Sequence, residues 1–360
     1  MKKLLVFIVC AVVITGCSPR TKVIEELQLI QALGYDYESE NEFSSVAGSQ
    51  IILPEEEALP DTEVFSAVGN TSRITRKKMQ TESSKLLVLG RVNLVLFQDK
   101  LAEQGIFYYL DILQRDPVIG RNVRPAIVEG KVFDLLSQKY KLDITVYQYL
   151  SELIEQSEKE IFPEVTLHTL LYQYYQEGSD MYLPMIKQYK DRARVTGLAL
   201  FKDDFFVHKL NVRESSYLKL LKEPFNGGFY QIDLDDDNYV SIENVDVGQN
   251  FTIKKSGTDY SASITVNVKG IINEQGDVKG PNHYGIQELN HYGTEQFEKR
   301  LQKLLQTFQE LNVDPLGLCA KAKSSIRNFD MKEWENSYQD LDIHVNVNLN
   351  LISSGITEED

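Results

Sequence analysis

The sequence predicts a multi-domain α+β protein. A mixed α/β region spans residues 23–195, and a C-terminal α+β domain spans 196–357, its antiparallel sheet packed on one long helix. Three observations carry this. Apolar and polar residues alternate over 343–351, the period of a half-buried strand. Phe297, Leu301, Leu304, Leu305, Phe308 and Leu311 fall on one helical stripe. Between Arg194 and that helix the apolar runs are short and turn-bounded, whereas before Arg194 helix-like and strand-like patterns mix.

The 360 residues suffice for two or three cores of ordinary size. Aromatics at 10% and charged residues at 25% are globular values and exclude a wholly disordered chain. A net charge of −15 offers no cationic footprint for tracking phosphates, so nucleic acid is not an expected partner.

The N-terminus reads as an export and lipidation signal over residues 1–16. Lys2 and Lys3 precede an apolar run from Leu4 to Ile14, too short for the roughly 20 residues that cross a bilayer. Ile14-Thr15-Gly16-Cys17 resembles a bacterial lipobox. Its small residues suit a narrow peptidase cleft, and the Cys17 thiol is the nucleophile that accepts diacylglycerol as a thioether. Cys17 is therefore the expected S-diacylglycerol and N-acyl attachment site, with residues 17–22 as a tether. Cleavage removes Cys10 together with Lys2 and Lys3, which deepens the net charge from −15 to −17 and leaves Cys319 as the free thiol. Such a body is repelled by anionic headgroups, so the acyl chains must supply the membrane attachment. No internal disulfide and no CxxC site is expected.

The remaining elements follow in order. Val23 to Leu33 forms a first element leading to Gly34, and residues 38–63 hold one strand followed by an acidic loop at Glu55-Glu56-Glu57. Val88 to Phe97 is β-rich, and Leu101 to Leu113 is helical, ending near Arg115-Asp116-Pro117. Val132 to Leu136 and Ile144 to Ile154 are helical as well. The tyrosines between 170 and 190 read as core or core-edge residues. Val195 to Phe201 and Phe205 to Leu210 form a hairpin through Asp203-Asp204. Phe229 to Leu234, Tyr239 to Ile242, Phe251 to Lys255 and Tyr260 to Val268 are short strands, the last two joined at Lys255-Ser256-Gly257. The long helix covers Glu295 to Leu311 and stops at Asp314-Pro315 and Gly317. Its polar side carries Glu298, Lys299, Gln302, Lys303 and Gln306. In the last strand Ile343, Val345, Val347, Leu349 and Leu351 face a core, while His344, Asn346, Asn348 and Asn350 face solvent or a polar partner.

Chemistry is sparse. No P-loop, dinucleotide fingerprint, nucleophile elbow or HExxH occurs. Asp233 to Asp237 starts like a calcium loop, but Asn238 and Asn244 stand where an EF-hand needs Gly and a bidentate Glu. Asn282-His283-Tyr284-Gly285 and Asn290-His291-Tyr292-Gly293 place two histidines near Glu288 and Glu295. Two histidines do not complete a zinc site, and the neighbouring Gly280-Pro281 points to a surface loop. Cys319 has no histidine base nearby, and Asp342 with His344 reads as strand-edge polarity. No catalytic residue, metal or cofactor is expected.

The ordered set of motifs resembles the Ger(x)C family, the lipoprotein C-subunits of spore nutrient germinant receptors. Carrying the resemblance are Glu25-Glu26-Leu27 with Ala32-Leu33-Gly34-Tyr35-Asp36, and Lys100 to Ile106 with Leu110-Asp111 and Arg115-Asp116-Pro117. Gly197 to Lys202 with Asp203 resembles the hairpin opening the family's C-terminal domain. Asp314-Pro315-Leu316-Gly317 followed by Trp334 resembles its C-terminal signature. Ser18 stands where the family often has Trp, and Cys319 where a second Gly is usual. The resemblance implies a non-catalytic subunit on the outer face of the spore inner membrane, required for nutrient-triggered germination. It implies two polytopic partners, an A-type subunit and a permease-like B-type subunit. Two other readings make different demands. A solute-binding lipoprotein of a transporter needs two α/β lobes around a cleft, and a lipid-anchored envelope hydrolase needs converging titratable residues.

Overall fold

The computed structural model describes residues 26–51, 61–234, 238–276 and 284–353. The signal segment, Cys17, the tether and Glu55-Glu56-Glu57 lie outside the described residues. The first part of the chain runs β1 (Leu27–Ser39), β2 (Glu42–Ile51), β3 (Asp61–Gly69), α1 (Ser72–Gln80), β4 (Leu86–Val88) and β5 (Leu94–Gln98). There follow α2 (Asp99–Ala102), α3 (Phe107–Arg115), β6 (Arg124–Glu129), α4 (Val132–Ser137), α5 (Val146–Glu160) and α6 (Leu167–Tyr175). Next come β7 (Tyr182–Tyr189), β8 (Arg192–Lys202), β9 (Phe205–Asn211), α7 (Val212–Lys222), β10 (Phe229–Asp233) and β11 (Tyr239–Ser256). The chain closes with β12 (Asp259–Gly276), α8 (Ile286–Glu310), α9 (Leu318–Ser325), α10 (Met331–Ser337) and β13 (Asp342–Ser353).

Two sheets organise these elements into an α+β architecture. The larger has the order β3-β2-β1-β5-β6-β7-β8-β9, with β4 also paired to β1. Its centre is parallel, and Leu94 to Phe97 on β5 are wholly buried, as expected for strands covered on both faces. The smaller sheet has the order β10-β11-β12-β13. α7 lies between the two, touching β8 and β9 of one and β11 and β12 of the other.

Several boundaries differ from the sequence expectation. The expected hairpin over 195–210 forms, but on the larger sheet rather than opening the C-terminal one. Lys190, at φ 55°, helps the chain turn at the end of β7, and that turn commits β8 to β7 before the C-terminal region begins. The smaller sheet is antiparallel over β10–β12 but parallel at β13. α8 is the crossover that returns the chain to the starting end of β12. The two separate strands expected at 239–242 and 251–255 are one strand, bent by register shifts at Ser241/Ile242 and Asn244/Asp246. The helix expected over 101–113 is broken into α2 and α3. The β8–β9 turn fills the break: Asp204 accepts from Ile106 N at 3.0 Å through its carbonyl and from Phe107 N at 2.9 Å through Oδ2.

Candidate functional site

A cleft of about 830 Å³ lies between the two halves of the chain. One wall comes from the segment after α6, from the β8–β9 turn and from Phe107 at the head of α3. The other comes from the Asn312–Asp314 turn, Cys319, and the face of α10 that carries Met331 and Trp334.

Its floor is a reciprocal pair of hydrogen bonds. Asp180 N donates to Asp314 O at 2.9 Å, and Asp314 N donates back to Asp180 Oδ2 at 2.7 Å. Lys202 Nζ lies 3.4 Å from the same Asp180 oxygen. The Asp314-Pro315-Leu316-Gly317 string is therefore a folded corner. Asp314 Oδ2 accepts from Cys319 N at 2.8 Å, satisfying a free amide of the first turn of α9. Tyr338 Oη donates to Val313 O at 2.7 Å, and Lys222 Nζ donates to Pro315 O at 2.7 Å. The signature marks the joint between the halves.

Burial dominates the electrostatics here. It raises the Asp314 carboxyl to about 6, with the Asp180 charge adding to the rise and Lys222 opposing it. It raises Asp180 as well, against the pull of Lys202. The Lys222 ammonium is lowered to about 8 by the same loss of water. Cys319 is buried, with its Sγ 3.5 Å from Met331 Sδ, and burial pushes its thiol up to about 12. Such burial disfavours the thiolate, the nucleophilic form of the side chain.

The other residues singled out from the sequence do not converge. His208 lies on β9, His291 on α8 and His344 on β13, while His283 lies outside the described residues. His291 pairs with Glu295, at 3.6 Å on an exposed helix face, and His344 with Asp342 at 3.0 Å. The second Asn-His-Tyr-Gly string is helical, not a loop. It occupies the second turn of α8, where a Cβ on Gly293 would sit 2.4 Å from Leu349 Cδ2, so the bare backbone lets the helix approach the sheet. Among the described residues no group of three or more His, Cys, Asp or Glu could hold a metal ion. Asp235 to Asp237 lie outside the described residues. Asp233 is paired with Arg300 at 2.5 Å, and Asn244 is buried in β11 with Nδ2 donating to Phe225 O. Calorimetry on the purified mature protein should accordingly show no micromolar calcium isotherm, and one abolished by Asp235→Asn would overturn this.

The polar side of α8 is partly consumed within the fold. Asn290 Oδ1 accepts from Leu351 N at 2.9 Å, Glu298 Oε1 accepts from Val347 N at 2.9 Å, and Gln302 Nε2 donates to Ile343 O at 2.7 Å. These side chains cap backbone along the edge strand β13. Lys299, Lys303 and Gln306 remain exposed, as do His344, Asn346, Asn348 and Asn350 on the outer face of the sheet.

The geometry defines a class: a two-sheet α+β protein whose halves are joined by the buried Asp314 and its bonds to Asp180. Residues 20–188 match the family described as "Spore germination protein N-terminal domain", and residues 196–355 match "Spore germination B3/ GerAC like, C-terminal". The chain belongs to this Ger(x)C family of spore germination proteins. It is 29% identical over 362 residues to the spore germination protein GerQC of Bacillus cereus, covering 99% of this chain and 100% of that one. It is 24% identical over 304 residues to YfkR of Bacillus subtilis (strain 168), a protein named for spore germination, covering 78% of this chain and 76% of that one. The crystal structure of the GerBC protein shares the fold, with a TM-score of 0.61 at 15% identity, over 89% of this chain and 96% of that one.

Proposed function

We propose that this chain is the lipid-anchored, non-catalytic C-subunit of a spore germinant receptor, required for nutrient-triggered germination. It works on the outer face of the spore inner membrane with an A-type and a permease-like B-type subunit, both polytopic. The observation that carries this reading is family membership across both halves of the chain. The lipobox at Ile14-Thr15-Gly16-Cys17 supports the anchor, and no helix among the described residues is long and apolar enough to cross a membrane. The cleft does not favour a solute-binding lipoprotein, because the C-terminal sheet contains one β–α–β crossover rather than the repeated units of a second lobe.

Cys17→Ala tests the anchor. The mature body carries −17, so loss of the acyl chains should move nearly all of the protein from washed membranes to the soluble fraction and impair germination. A cleaved Cys17→Ala protein that stays with washed membranes would reveal another anchor. Affinity capture of the tagged mature protein from detergent-solubilised spore membranes should bring down two polytopic partners.

A further inference from the structure

We propose that the cleft between the two sheets binds an ammonium-bearing ligand with a short aliphatic body and no carboxylate. Among the described residues, five carboxylates line it, those of Glu177, Asp180, Asp203, Asp314 and Glu335, against Lys202 as the one lining cation. Lys202 is engaged with Asp180, and Lys222 and Lys321 lie within electrostatic reach of Asp314, so the unbalanced negative charge is that of Asp203 and Glu335. Glu177 is held by Lys323 at 2.5 Å, while Asp203 and Glu335 are exposed at the rim.

An acidic rim alone does not make a site. The second observation is Asp314, which lines the cleft, is only 6% exposed, and has no hydrogen-bond partner for Oδ1 among the described residues. Oδ2 is occupied by Cys319 N, and the Leu318 amide also faces the carboxyl. A buried carboxylate oxygen with no donor is costly, and a cationic N–H donor is its strongest complement. Charge already present near Asp314 does not hydrogen-bond Oδ1: Asp180 repels it, and the Lys222 and Lys321 ammoniums donate to Pro315 O and Leu316 O.

The apolar walls select the rest of the ligand. Phe107 stacks on Tyr174 with ring centroids 4.8 Å apart, and Trp334 and Met331 line the opposite side. Aromatic faces favour a desolvated ammonium and its methylenes. A free amino acid would bring its own carboxylate against the lining carboxylates, so it is disfavoured. The ammonium can come from a free alkylamine or from a lysine side chain of another protein; the chemistry of recognition is shared.

Every lining residue named belongs to this chain, so the test needs no receptor assembly. The detergent-solubilised mature protein is titrated by calorimetry with 1,4-diaminobutane, with Nα-acetyl-lysine N-methylamide and with glycine. Saturable binding is expected for the first two and none for glycine. Tighter binding of diaminobutane assigns the site to a free amine, and tighter binding of the blocked lysine assigns it to a protein side chain. Asp314→Asn should weaken binding about tenfold or more, the loss expected when a charged hydrogen-bond partner is removed. The Asp203→Asn, Glu335→Gln double variant, altered only at exposed positions, should weaken it about threefold through lost charge while Trp334 fluorescence keeps its native spectrum. Absence of saturation with both amines, glycine binding as tightly as the amines, or unchanged affinity in the folded double variant would overturn the proposal.

Discussion

Gly197→Ala is expected to remove about 3–5 kcal/mol of stability, among the largest losses available to a single methyl group in this chain. Gly197 sits on β8 at φ 142°, a conformation that L side chains rarely adopt. A Cβ there would lie 1.8 Å from Leu210 O on β9, an overlap with backbone that no side-chain rotation relieves. The position is constrained from both sides. Gly197 pairs with Met185 on β7 and with Asn211 on β9, and the register shift beside Ile186 leaves Thr196 as an extra residue in β8. Thr196 uses that freedom to bond Glu129, which also holds Lys209. Denaturant titration followed by far-UV circular dichroism measures the loss. A midpoint within about 0.5 kcal/mol of wild type would show that the bulge relaxes at little cost.

The same variant reports on coupling between the sheets. Trp334 is the only tryptophan and lies in the smaller sheet's core, 5.2 Å from the Tyr260 ring. α7 packs on both sheets, Asp180 and Asp314 clasp them, and buried Lys219 on α7 ties Glu158 O at 2.7 Å to Glu223 at 2.5 Å. These contacts imply one cooperative unit. Trp334 fluorescence should therefore shift its midpoint together with the dichroism, although Gly197 belongs to the other sheet. Separate transitions would mean that the clasp is too weak to couple the halves.

Elements whose pattern is local were legible in the sequence. The stripe from Phe297 to Leu311 and the alternation from Ile343 to Leu351 each bury one face, and the structure buries those faces. What was not legible depends on where neighbours land. The 343–351 alternation is the same whether its partner runs parallel or antiparallel; only the α8 crossover decides. The second Asn-His-Tyr-Gly string reads as a loop because glycine is a poor helix former, yet Gly293 is helical because Leu349 and Ile232 press against it. Asp314 and Trp334 stood out as parts of a signature, but Asp180 carried no signal. The cleft draws on segments far apart in the sequence, and no spacing rule links residue 180 to residue 314. The polar side of α8 reads as a docking face; its role as cap for β13 requires knowing that β13 is an edge.

Phe297→Ala should cost about 3–5 kcal/mol and lower the amount of folded protein, and, on the proposed function, of the partner subunits with it. Phe297 is wholly buried on α8, and its ring meets Tyr217 of α7 edge-on at 5.9 Å and Tyr230 of β10 at 5.4 Å. Truncation leaves a cavity at the point where helix, sheet and α7 converge, and it removes two aromatic contacts worth about 0.5–1.5 kcal/mol each beyond their area. It also loosens the neighbouring Glu298, whose carboxylate caps Val347 N on the edge strand. An uncapped edge is a template for pairing with another chain, so aggregation should accompany the lost stability. Lys299→Ala is the control: the residue is two positions along on the same helix but exposed, and it should change stability by no more than about 0.5 kcal/mol. Unfolding midpoints from Trp334 fluorescence separate the two variants, and immunoblots of spore membranes measure the subunit and its partners. Phe297→Ala spores that keep normal protein levels yet fail to germinate would point to chemistry or ligand contact at this position instead of packing, because a packing defect acts through the folded population.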